Sequence, residues 1–177
     1  MEGELVWRAL SPGPGTTEAV GESLGRALVS GSLLGLIGEL GSGKTTFVRG
    51  LARGLDVREP VHSPTFTRMR SLPGRLALFH FDAWRGGAEG LFDEGAEFLA
   101  GTGVAVVEWA DRVESRLPRP RIEIRLLHRG QSGRELAARL QPAAPRSGAP
   151  SMELERRLRM ALERAGRTRG LEILDGP

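Results

Sequence analysis

Apolar positions along this chain change their spacing several times, and each change marks a predicted element. Residues 5–10 read as a short strand, which S-P-G-P-G at 11–15 breaks. Thr16 or Thr17 can then cap a helix. Glu18 falls in its first turn, Val20, Leu24, Ala27 and Leu28 recur at helical spacing, and Gly31 closes it. The apolar run L-L-G-L-I at 33–37 ends directly on a glycine loop, and Phe47, Val48, Leu51 and Leu55 form one face of a helix over 45–55. This segment is therefore read as strand, loop, helix.

Farther along, residues 56–72 read as mostly irregular, with Pro60 and Pro64. Residues 76–82 and 103–108 read as second and third strands, the latter a fully buried apolar run, and each ends on an acid, Asp82 or Glu108. A helix is expected at 89–99. Strands near 122–127 and 135–140 form a polar antiparallel hairpin across R-G-Q-S-G at 129–133. The organisation expected is a main domain over 1–141, a Pro/Ala/Gly/Ser linker over 142–150, and a basic amphipathic helix and tail over 151–177.

Composition narrows the chemistry. At 177 residues the chain has room for one full domain, and 40% hydrophobic with 27% charged residues is enough to bury a core. There is no cysteine, which excludes disulfides, thiolate catalysis and the usual cysteine-containing zinc sites. His62, His80 and His128 have no metal-ligand spacing. No apolar run approaches the ~18 residues of a membrane span, and early acids at Glu2 and Glu4 argue against a secretory leader, so a cytoplasmic protein is expected. The net charge of +3 admits a nucleic-acid partner without demanding one. Of 25 Lys and Arg residues, 24 are arginine and one is lysine, Lys44.

That lysine sits in G-E-L-G-S-G-K-T-T at 38–46, which matches the phosphate-loop pattern G-x-x-x-x-G-K-T between a buried strand and a helix. Glycines let the backbone turn its N–H groups onto a phosphate, and the helix behind points its positive end at the same charge. A compact ammonium on a flexible stem reaches phosphate oxygens where a broad planar guanidinium would not fit. Lysine persists at the one position where arginine is not its equivalent. Residues 39–46, that is Glu39, Leu40, Gly41, Ser42, Gly43, Lys44, Thr45 and Thr46, are the expected nucleotide-binding set, with the Thr45 hydroxyl placed to ligate Mg²⁺.

Hydrolysis also needs a carboxylate on the metal and a group to orient water. Asp82 and Glu108 would both emerge at the carboxyl edge of a parallel sheet, where such folds bind ligands. The loop H-S-P-T-F-T at 62–67 is either a switch-like segment at the γ-phosphate or a plain surface loop. His80 reads as a packed core residue, and Trp84 and Trp109 as core filling or as a platform for a base or partner. Guanine-specific GTPases use Asn-Lys-x-Asp; with no Asn and no second Lys, ATP is favoured over GTP.

These motifs in this order resemble the TsaE (YjeE) family, small ATPases of bacterial threonylcarbamoyladenosine synthesis. The matching pieces are T-E-A-V-G at 17–21, G-E-L-G-S-G-K-T-T-F-V-R-G at 38–50, S-P-T-F-T at 63–67, H-F-D-A-W-R at 80–85, V-E-W at 107–109, and Leu117-Pro118 with Arg134 beyond. The resemblance implies a three-layer αβα P-loop NTPase-like fold of the α/β class, with a mainly parallel central sheet and an antiparallel C-terminal hairpin. It implies ATP on the loop, Mg²⁺ held by Thr45 and Glu108, and hydrolysis supported by Lys44, Asp82 and Thr65. It also implies action with TsaD and TsaB, with hydrolysis resetting that complex as it modifies the adenosine next to the tRNA anticodon. The chain departs from the family pattern at Trp84, where tyrosine is common, and in A-E-G-L-F-D-E-G at 88–95. Residues 146–177 lie outside the resemblance.

The other readings are a small-molecule kinase on the same scaffold and a nucleotide-gated binding module. The basic helix beyond 151 is read as a tRNA or partner contact, or as a solvated helix folded back on the domain. Residues 112–139 carry eight arginines against Glu114, Glu123 and Glu135, a second candidate surface for RNA.

Overall fold

The computed structural model describes residues 3–64, 69–84, 101–145 and 148–176. Strand β1 spans Glu4–Ser11, and helix α1 follows at Pro14–Ala27. The helix begins before the expected threonines because Pro14 stands in its first turn, where a missing N–H costs nothing. Thr17 instead bonds Ser11 through their hydroxyls at 2.9 Å. Leu28 is already extended, so α1 ends before Gly31, which turns the chain at φ 83°. Strand β2 is Ser32–Ile37 and helix α2 is Lys44–Gly54.

Strands β3 (Met69–Leu72) and β4 (Ala77–Asp82) form an antiparallel pair, so the end of the segment expected to be irregular is a strand. Its apolar content is too low to announce it; pairing with β4 supplies what local pattern lacks. Strand β5 is Gly103–Glu108, and β6 (Arg121–Arg129) and β7 (Gly133–Gln141) form the expected hairpin. The helix expected at 89–99 lies outside the described residues.

One eight-stranded sheet results, in the order β3-β4-β5-β2-β6-β7-β1 and then β8, Glu172–Asp175. Its centre, β4-β5-β2-β6, is parallel, and antiparallel strands flank it on both sides. Every residue of β2 and β5 is buried, which explains why both read as unbroken apolar runs rather than alternating ones. One face packs α1 and α2 through Val20, Leu24, Phe47 and Leu51; the other packs the 3₁₀ turns Ala110–Arg112 and Glu114–Arg116 through Ala110, Val113 and Leu117.

Helix α3, Ala149–Ala165, belongs to the same body. Its stripe of Leu158, Ala161, Leu162 and Ala165 is buried in one core with Ala9, Ile124 and Leu136. The indole Nε1 of Trp7 donates to the Leu162 carbonyl at 2.7 Å, and Arg159 grips Glu4 with two bonds of 2.8 and 2.6 Å. Strand β8, which no sequence pattern announced, pairs with β1. The basic helix and tail expected beyond a linker thus complete the β1 edge of the domain, because β1 leaves an apolar face and an unpaired edge for them to cover. Among the described residues, no helix is long and apolar enough to cross a membrane.

Helices α1 and α2 meet at backbone distance. A Cβ on Gly50 would lie 1.9 Å from the Glu18 carbonyl oxygen, and one on Gly54 2.3 Å from that of Glu22. Gly21 and Gly25 make the reciprocal approaches to Phe47 and Leu51 at 2.3 and 2.4 Å. Four glycines spaced by one turn therefore fix where α2 lies and, with it, where its N-terminus points. Gly50→Ala is expected to lower stability by about 2 kcal/mol or more through overpacking against backbone, read by thermal melting. Gly13→Ala, where a Cβ meets nothing within 4 Å, is the control and should leave the melting temperature in place.

Candidate functional site

Strand β2 ends at Ile37, and the loop over 38–43 carries the chain into α2. Gly41 at φ 74° and Gly43 at φ 102° occupy the left-handed region that side-chain-bearing residues avoid. Gly43 is also the N-cap of α2 and has no side chain with which to bond the first-turn amides. The first i to i−4 bond of the helix comes from Phe47 N to Gly43 O at 2.9 Å. The earlier amides, at the positive end of α2, have no carbonyl one turn back to bond, an arrangement that suits an anion.

Lys44, the first residue of α2, is only 5% exposed. Its Nζ donates to the carbonyls of Gly38 at 2.7 Å and Glu39 at 2.9 Å, and it lies 3.7 Å from the centroid of the Trp109 ring. Burial holds this ammonium below the usual lysine range, while Glu108, Asp82 and Asp111 pull it back up. The lysine is therefore folded along its own loop, with three acids near enough to favour its charge.

Glu108 and Asp82 arrive through strand register. Leu36 of β2 pairs with Glu108 of β5, and Glu108 pairs with Asp82 of β4, so one row across three parallel strands sets both carboxylates beside the start of the loop. The Thr45 hydroxyl donates to Glu108 Oε1 at 3.0 Å. His80, fully buried two residues before Asp82, bonds the same Oε1 through Nε2 at 2.9 Å. With Glu108 ionised, Nε2 is the donor in this bond, since a carboxylate only accepts. Asp82 Oδ1 accepts from the Trp84 amide at 2.8 Å, and its Oδ2 from the Ser63 hydroxyl at 3.4 Å.

A cleft of about 490 Å³ opens over these groups. Its wall includes Trp84 and Trp109, whose rings lie 4.4 Å apart at 45°, and the Arg112 guanidinium sits 3.9 Å over Trp84. Lys44, Trp109, Trp84 and Arg112 thus stack in the order cation, ring, ring, cation. Trp84 is 43% exposed, so its role as core filling is excluded, whereas Trp109 caps the lysine.

The donor set suits Mg²⁺. That ion takes one or two protein oxygens and completes its octahedron with phosphates and water, and a hydroxyl paired with a carboxylate provides such oxygens. Among the described residues there is no group of three or more His, Cys, Asp or Glu that would form an all-protein metal cage.

Of the residues expected from sequence, Leu40, Gly41, Ser42, Gly43, Lys44, Thr45 and Thr46 line the cleft with Asp82 and Glu108. Glu39 contributes its carbonyl to Lys44 and to the Ser42 amide, not its carboxylate. Thr65 lies outside the described residues. Two contributors were not foreseen. His80 was read as core packing, and its burial agrees, but its bond to Glu108 depends on inter-strand register; its place two residues before Asp82, on the same strand face, was the available signal. Arg134 donates to the Ser42 and Gly41 carbonyls at 2.8 and 3.0 Å from 92 and 93 residues away, which no local pattern conveys.

Comparison with known proteins shows the family to which this fold belongs. The family model for threonylcarbamoyl adenosine biosynthesis protein TsaE matches residues 12–136. A tRNA threonylcarbamoyladenosine biosynthesis protein TsaE of Treponema pallidum is 44% identical over 131 residues, which span 73% of this chain and 97% of that protein. The protein of the same name from Bacillus subtilis is 37% identical over 139 residues, 75% of this chain and 84% of its own. In structure, the chain is similar to crystalline Bacillus subtilis YdiB, with a TM-score of 0.66, 30% identity, and coverage of 85% of this chain and 92% of the other. With the family model spanning most of the chain and its glycine loop, strand-end acids and cleft all inside the match, this chain belongs to the TsaE family.

Proposed function

We propose that the chain is a Mg²⁺-dependent ATPase acting in the cytoplasm for tRNA threonylcarbamoyladenosine biosynthesis. The observation that carries this reading is the convergence of the loop, Lys44 and the Thr45–Glu108 pair on one cleft. The loop amides and Lys44 would bind the phosphates of ATP. Thr45 and Glu108 would hold Mg²⁺, which neutralises charge building on the phosphate oxygens. His80 fixes the orientation of Glu108. Asp82, tied to Ser63 and the Trp84 amide, is the carboxylate left to orient the attacking water, with Thr65 as a further hydrolytic residue.

Family membership supports the pathway, and the resemblance to TsaE proteins supports TsaD and TsaB as partners. Hydrolysis in this scheme resets the partner complex between turnovers and makes no acyl bond itself. A small-molecule kinase on the same scaffold would form ADP only when an acceptor is supplied.

Phosphate release from ATP tests the residue assignments. Lys44→Ala and Glu108→Ala are each expected to lower turnover about 100-fold or more, in the range of lost electrostatic stabilisation at a transition state. Lys44→Arg should fail nearly as badly despite keeping the charge. Full Mg²⁺-dependent turnover in Glu108→Ala would contradict the metal assignment. His80→Ala is expected to raise the Mg²⁺ concentration for half-maximal turnover roughly tenfold, the usual cost of losing a group that orients a metal ligand. An unchanged Mg²⁺ titration would leave His80 as packing alone.

A further inference from the structure

Arg134 stands near the start of β7, opposite Ser11 of β1 on one side and His128 of β6 on the other. Its backbone is thus held between two antiparallel partners, while its side chain leaves the hairpin for the glycine loop. Nε donates to the Ser42 carbonyl at 2.8 Å, Nη2 to the Gly41 carbonyl at 3.0 Å, and Nη1 to the Gly133 carbonyl at 2.7 Å. All three acceptors are neutral. Other arginines on the same hairpin behave differently: Arg129 pairs with Glu135, and the buried Arg121 with Glu123. No carboxylate forms an ion pair with Arg134 among the described residues.

Two consequences follow from peptide and guanidinium chemistry. In a trans peptide the carbonyl and the next N–H point opposite ways. Drawing the Ser42 carbonyl towards Arg134 therefore turns the Gly43 N–H away from the guanidinium. The preceding peptide is pinned at both ends, its Gly41 carbonyl on Arg134 and its Ser42 N–H on the Glu39 carbonyl at 3.1 Å. Separately, the guanidinium brings a positive charge with no ion-pair partner among the described residues to the Gly41–Ser42 part of the loop, whereas Lys44 bonds the carbonyls of Gly38 and Glu39.

We propose that Arg134 is a positioning residue for the nucleotide phosphates: it sets the peptide planes of Gly41 to Gly43 in their binding orientation and joins the β6–β7 hairpin rigidly to the loop. This rests on the reading of the cleft as a nucleotide site. The fork of two donors is what the geometry uses, so a lysine, with one point of charge, reproduces the field but not the orientation.

The test is calorimetric titration of the full chain with ADP and Mg²⁺, for the unmodified protein, Arg134→Ala and Arg134→Lys, together with KM and kcat for ATP. With two charge-assisted bonds removed, Arg134→Ala is expected to bind ADP roughly tenfold more weakly or worse. Its KM for ATP should rise by a similar factor, with kcat kept within about threefold. Arg134→Lys should fall between the two. Binding by both variants within about twofold of the unmodified chain overturns the proposal, as does a fall in kcat with KM unchanged. Full recovery by Arg134→Lys also overturns it, since charge alone would then suffice. If Arg134→Ala does not fold, Arg134→Lys decides by the same thresholds. Failure of the unmodified chain to bind ADP overturns the nucleotide reading itself, and the proposal with it.

Discussion

The register of the parallel strands is the constraint from which the site follows. Leu36, Glu108 and Asp82 stand in one row across β2, β5 and β4, so the two carboxylates reach the sheet edge just where β2 gives way to the glycine loop. A slip of one residue in either pairing would turn an acid to the opposite face. The buried apolar runs of β2 and β5 oppose such a slip, and so does the Thr45–Glu108 bond between the start of α2 and the end of β5. Chemistry at the cleft is therefore held by hydrophobic packing several residues away.

The site balances cations and acids without forming a single dominant ion pair. Lys44 rests on two carbonyls and a tryptophan face, with Glu108 and Asp82 contributing field from the sheet edge. At the Gly41 and Ser42 carbonyls of the loop, Arg134 contributes charge from the hairpin. Helix α1 fixes α2 through the glycine contact, and the hairpin fixes the loop, so two independent supports meet at the N-terminus of α2. Beyond the part matched by the family model, helix α3 packs against α1 and the hairpin from the side of the core, and β8 closes the β1 edge.

What could be read from sequence follows from how local each cause is. The strand, loop and helix around Lys44 were legible because one short stretch carries the apolar run, the glycines and the helical face together. Asp82 and Glu108 were legible because each ends an apolar run. By contrast, β8 draws on the open edge of β1, and its Glu172-Ile-Leu-Asp175 is exposed throughout, so no burial pattern marks it. The same holds for β3, defined by its partner. Arg134 was visible only as a residue of the family pattern, and the bond from His80 to Glu108 joins residues 28 apart through a register that composition does not encode. Trp84 shows the reverse case: its replacement of tyrosine is plain in the sequence, but its stacking between Trp109 and Arg112 depends on the left-handed turn at Trp109, φ 60°.

The most direct measurement of the central claim is phosphate release from ATP by the unmodified chain, alone and then with TsaB and TsaD, with and without Mg²⁺. The account predicts slow Mg²⁺-dependent release by the chain alone and faster release once the partners are added. Release that ignores Mg²⁺ and the partners, and appears only when a small-molecule phosphate acceptor is supplied, would contradict it.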